Sequence, residues 1–122
     1  MIKNISCIQD VLDISPTALT ELINKDYLIE IPVSCETIED LNEINKLLPI
    51  VVNKYSFLIS IASFLKVRIR AEKRANHKEI SEDLIDKSAV INNAIESLKM
   101  AQKTLSRMVT IKNLINEEMK MV

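Results

Sequence analysis

Residues 50–122 pass without a single proline or glycine, and glycine is absent from the whole 122-residue chain. Proline ends helices by removing an N–H donor, and glycine ends them by adopting positive φ. A stretch of seventy-three residues that lacks both predicts extended α-helical structure. Glycine also supplies the left-handed positions of phosphate loops, tight hairpins and nucleophile elbows. Its absence argues against a dinucleotide fold, a phosphate-loop enzyme and a β-barrel. The expected class is all-α: a helical bundle whose long C-terminal helices form a helical hairpin or a coiled-coil-like pair, preceded by short N-terminal helices.

The apolar pattern supports this class. Val51, Tyr55, Leu58, Ala62, Leu65 and Ile69 fall at three- and four-residue spacing, and Phe57, Ile61 and Phe64 widen that stripe. A helix so apolar around its circumference is expected to be central and buried. Further on, Leu84, Ile91, Leu98 and Leu105 repeat every seven residues, and Ala94, Ala101, Met108 and Ile115 repeat between them. This is the spacing of a coiled-coil seam. Lys87 and Lys112 interrupt it, which favours a hairpin or bundle over a long two-stranded coil. A turn is expected at residues 75–78, with Asn76 as the C-capping residue. The alternative is one unbroken helix of roughly 100 Å at 1.5 Å per residue, which needs a second chain to cover it. The seam Leu84, Ile91, Leu98, Leu105, Met108 and Ile115 is the expected self-association surface of a homodimer.

The first forty-nine residues read as an acidic helical segment of the same single domain. Ile5, Ile8, Val11 and Leu12 suggest a short helix within residues 2–14. Ser15 and Pro16 are a cap and a first-turn residue for a second helix over 16–25. Residues 27–33, Tyr-Leu-Ile-Glu-Ile-Pro-Val, are the one strand-like stretch, expected as an extended connector or a lone edge strand because Pro32 lacks a ladder donor. Ser34 or Thr37 then caps a third helix carrying Ile38, Leu41, Ile44, Leu47 and Leu48. Pro49 is expected to break or kink it.

Charge is polarised. Residues 1–49 carry Lys3, Lys25 and Lys46 against nine acids, whereas residues 50–122 carry thirteen bases against eight, for an overall formal charge of −1. The densest basic stretch is Lys66, Arg68, Arg70, Lys73, Arg74, His77 and Lys78, opposed within it by Glu72 alone. Lys66, Arg70, Lys73, Arg74 and His77 share a helix face. Such a face suits phosphates or an acidic protein; equally, Glu79, Glu82, Asp83 and Asp86 could fold back and neutralise it. These basic residues are the candidate partner- or nucleic-acid-binding site. Interleaved aromatics are missing, so a base-stacking platform is not expected.

No catalytic constellation is visible. His77 has no nucleophile partner, and adjacent carboxylates such as Glu82 and Asp83 diverge by about 100° on a helix. Cys7 and Cys35 form no metal-ligand pattern, so neither a metal nor a cofactor is expected; free thiols suit a reducing compartment. The run 50–65 contains Asn53, Lys54, Ser56, Ser60 and Ser63 and reads as too short and interrupted for a membrane span. With no secretory leader evident, a cytoplasmic location is expected.

The stretches Glu36-Thr-Ile-Glu-Asp-Leu41 and Asn53-Lys-Tyr-Ser-Phe-Leu58, together with Asp83-Leu-Ile-Asp-Lys87, Ser97-Leu-Lys-Met100 and Leu105-Ser-Arg-Met-Val-Thr110, resemble small helical proteins of bacteriophages and prophages of low-GC bacteria. That resemblance carries no assigned chemistry. It implies a phage protein acting in a bacterial cytoplasm. The expected function is a non-enzymatic interaction protein that binds and modulates a host or phage protein such as a defence nuclease, with inhibition as one form of that modulation. The alternative is a nucleic-acid-binding accessory of phage DNA metabolism that uses the basic face of residues 66–78.

Overall fold

A computed structural model describes residues 8–27, 29–76 and 81–120. Among them the chain is all-α. A short 3-10 helix, Ile8–Leu12, leads into α1 (Pro16–Asp26), and two helices of 39 residues follow, α2 (Ile38–Asn76) and α3 (Glu82–Lys120). At 1.5 Å per residue each long helix is roughly 58 Å in length. They run in opposite directions, because the Lys112 ammonium near the end of α3 donates to the Glu36 carbonyl just before α2, at 2.6 Å. The single continuous rod is thereby excluded. α2 ends inside the stretch expected to turn; the turn itself falls outside the described residues.

Two heptad stripes meet between the long helices. Ile44, Val51, Leu58 and Leu65 on α2 and Ile91, Leu98 and Leu105 on α3 are all almost completely buried, as is Ile61. Leu84 and Ala101 join the same core. The seam expected to hold two chains together therefore lies inside one chain: Leu84, Ile91, Leu98 and Leu105 cannot serve as a dimer surface, because α2 already covers them. Met108 is partly buried against this core and Ile115 is exposed. A straight helix drifts about 20° per heptad from a strict seven-residue repeat, and by position 115 the repeat has rotated away from its partner. Nor is α2 buried all round, since Ile50, Val52, Ile59 and Val67 are exposed.

The N-terminal segment packs on this pair, with Val11, Ile14, Leu19, Leu22 and Ile23 joining the core. The Ser15 hydroxyl accepts from the Ala18 N–H (3.1 Å) at the start of α1, and Pro16 occupies its first turn. α1 ends without glycine at Tyr27, which keeps right-handed geometry while its N–H donates to the Ile23 carbonyl. Of the expected helix within residues 2–14 the described part is the 3-10 helix. No strand forms among the described residues of the connector.

Thr37, rather than Ser34, caps α2. Its hydroxyl accepts from the Asp40 N–H at 3.0 Å, and Asp40 Oδ2 accepts in return from the Thr37 and Glu36 N–H groups, each at 3.1 Å. This reciprocal box satisfies donors that have no partner in the helix. The two backbone donors hold the Asp40 carboxyl below its ordinary range.

Pro49 does not break the helix; α2 continues through it. The missing N–H deprives only the Asn45 carbonyl of its donor, and both Asn45 and Pro49 are exposed, so water can take its place. Ile44 and Val51, on either side, are fully buried and hold the backbone to the helical path. Tertiary packing here overrides a local preference.

One polar side chain lies in the core. Lys87, which the sequence marked as an interruption of the seam, is 1 % exposed. Its ammonium pairs with Asp83 Oδ2 one turn earlier (2.8 Å) and donates to the Leu12 carbonyl (3.2 Å). The aliphatic stem fills a core position while the charge ties the 3-10 helix to α3. On the other side, the Lys54 ammonium donates to the Asp26 carbonyl and stands 5.5 Å from the centroid of the Tyr27 ring. That ring stacks on Phe57, with centroids 6.3 Å apart. Two lysines, one from each long helix, thus accept the incoming chain at its carbonyls.

Three outcomes follow for stability. Pro49→Ala restores a donor and should raise stability by about 1–2 kcal/mol in thermal or denaturant unfolding; a lower melting temperature contradicts the reading of this turn. Asp83→Ala strips the buried ammonium of its counter-charge and should cost about 2 kcal/mol, whereas Lys87→Met should cost about 1 kcal/mol or less. The reverse order would show that the ammonium is not held as described. Asp40→Ala should lower the melting temperature at neutral pH. Because folding depresses the Asp40 pKa, its contribution is complete above the usual carboxylate range and fades as pH falls through the lowered value. The gap from wild type should therefore close in acid, and a pH-independent gap would refute the capping role.

Candidate interaction groove

Two long helices side by side leave a groove on each flank. The N-terminal segment occupies one of them. Lys54 and Phe57 of α2 face Asp26 and Tyr27, and on α3 the residues Ser97, Met100 and Thr104 lie beside Tyr27, Ile29 and Ile31 around a cleft of about 540 Å³. At about 100° per residue, Ile59, Lys66 and Arg70 lie on the side of α2 away from Phe57, and Ser88, Asn92 and Ile95 lie on the side of α3 away from Met100. Those six residues, with Ala62, Ser63, Ile69 and Lys73, line the second groove, of about 610 Å³.

The chemistry of this open groove is mixed in a specific way. Ile59, Ala62, Ile69 and Ile95 make an apolar floor. Lys66, Arg70 and Lys73 rise from α2 at spacings of four and three, and Ser88 and Asn92 face them from α3. All three cations are exposed. Among the described residues the ion pairs are Lys46 with Glu43 and Lys87 with Asp83; none involves a base of residues 66–74. Glu72 forms no ion pair with the neighbouring bases, and its Oε2 is buried and meets no hydrogen-bond partner among the described residues. Asp83 is taken by Lys87, so the expected folding-back of the acids onto the bases is not seen for it, for Glu82 or for Asp86; Glu79 lies outside the described residues. Among the described residues no carboxylate lines the groove.

The candidate basic site is therefore divided. Lys66, Arg70 and Lys73 converge on the groove. Arg68 and Arg74 are exposed but do not line it, and His77 and Lys78 lie outside the described residues. Sequence reasoning missed the α3 wall, whose signal was a run of small polar residues beside the seam, Ser88 and Asn92, leading to Ile95. Among the described residues no group of His, Cys, Asp and Glu comes together that could hold a metal. Cys35 is a free, half-buried thiol, and Cys7 lies outside the described residues.

Much of α2 stays apolar and uncovered. An eighteen-residue window in it has a mean hydropathy of 1.6 with 17 % of the window buried. By length and composition alone the helix thus reaches the threshold of a membrane span, which the polar residues of 50–65 had argued against. No protein-family model, curated protein or solved structure matches the chain.

Proposed function

We propose that this protein is a non-enzymatic interaction module that seats an acidic, amphipathic helix of a partner protein in the open α2–α3 groove. The observation that carries this reading is the pairing, in one cleft, of an apolar floor with three cations that form no ion pair among the described residues. A helix laid there would bury its apolar face on Ile59 and Ile69 and present carboxylates to Lys66, Arg70 and Lys73. It would take the place on this flank that the N-terminal segment takes on the other, a helix-in-groove mode of recognition. In a phage-infected cytoplasm, the setting implied by the sequence resemblance, the partner is a host or phage protein, with a defence nuclease as one case, and occupancy of its helix inhibits it.

Nucleic acid would use the cations and leave the floor unused, which makes the two readings separable. Fluorescence anisotropy should detect binding of a Glu/Leu-rich amphipathic helical peptide, weakened about tenfold or more both by Arg70→Glu and by Ile59→Asp. Arg68→Glu, outside the groove, should have little effect. Binding of duplex or single-stranded DNA that falls steeply with salt and ignores Ile59→Asp would transfer the function to phosphate recognition. Circular dichroism of each variant establishes that the fold is kept.

A further inference from the structure

We infer that the last turns of α3 are a homodimer interface, in which two copies pack antiparallel about a two-fold axis near residue 113. The surface is separate from the groove. Because Lys112 sits beside Glu36, α3 runs past the start of α2, and among the described residues no helix lies over its final turns. There Ile111, Leu114, Ile115 and Met119 are all exposed, Met119 by 72 %. Val33 and Ile38, exposed by 98 % and 68 %, belong to the same end of the molecule. Large apolar side chains gathered this way on a helix mark an association surface.

The charge pattern of this face specifies the occupant. Arg107, Ile111, Leu114, Ile115 and Glu118 follow at spacings of four, three, one and three, so they share an arc of about 100°. A base stands at one end, an acid at the other, and three branched aliphatics lie between. Arg107 and Glu118 are both exposed, with no ion pair among the described residues. If two such faces meet antiparallel, Ile111 of each copy packs on Leu114 and Ile115 of the other, and Arg107 of each comes opposite Glu118 of the other. Parallel packing would set Arg107 against Arg107 and Glu118 against Glu118. The face is thus complementary to itself in one orientation only, the self-matching that a two-fold interface demands. Glu117 and Lys120 point off this arc, and Lys112 turns to Glu36, so no like charge enters the contact.

Sedimentation velocity of the full chain from micromolar to millimolar concentration tests this. Wild type should shift from monomer to dimer across that range. Ile115→Asp should stay monomeric with an unchanged helical circular dichroism spectrum. Arg107→Glu and Glu118→Arg should each weaken dimerisation about tenfold or more, and the double exchange Arg107→Glu/Glu118→Arg should restore it. Lys66→Glu, in the groove, should leave dimerisation unchanged, which separates this interface from the proposed partner site. A monomer at millimolar concentration, a dimer indifferent to Ile115→Asp, or a double exchange no better than its parent single variants would each overturn the inference.

Discussion

The mutual burial of two aliphatic stripes, Ile44-Val51-Leu58-Leu65 on one helix and Leu84-Ile91-Leu98-Leu105 on the other, is the constraint from which the rest of the structure follows. With four aromatic residues in the chain, the core is assembled from many branched aliphatic contacts of modest individual size. A seven-residue repeat on both helices keeps those contacts in step along most of their length. It also decides where they stop. Beyond residue 108 the repeat has turned out of the interface, and the same residue types that build the core further up stand in water at the end of α3.

Within this frame the polar groups do the placing. The Lys87 ammonium and the Lys54 ammonium each take a backbone carbonyl of the N-terminal segment, Leu12 and Asp26. Apolar contact fixes no register by itself; a charged donor with a short reach does. The segment is thereby directed onto one flank of the helix pair, and the other flank is left with Ile59 and its cations exposed. The two flanks of α2 and α3 are alike in being lined by apolar residues and unlike in charge: Lys54 on the covered flank is engaged, whereas Lys66, Arg70 and Lys73 on the open one form no ion pair among the described residues.

The helices were legible from sequence because their signals are periodic and local. Ser15 with Pro16, Thr37 with Asp40, and the sevenfold spacing of leucines and isoleucines each specify structure within a few residues. What was not legible depends on residues far apart. Pro49 carries a strong local signal to stop, and only the burial of Ile44 and Val51 against α3 overrules it. Lys87 reads as a flaw in an apolar seam until Leu12 is brought beside it. The basic face was visible as a charge run, but which of its members converge depends on α3: Lys66, Arg70 and Lys73 meet Ser88 and Asn92, and Arg68 does not. The seam assigned to self-association was correctly seen as an interface and wrongly given to a second chain, because a heptad repeat does not say which molecule supplies its partner.

The bond between Lys87 and Leu12 spans 75 positions along the chain. Closing so distant a contact carries an entropic cost that the local turns of a helix do not. On a ribosome, the first dozen residues emerge long before the lysine that receives them has been made. The tie between the 3-10 helix and α3 must therefore wait until more than half of the polypeptide has been synthesised, whereas the end of α1 can meet Lys54 of α2 much sooner.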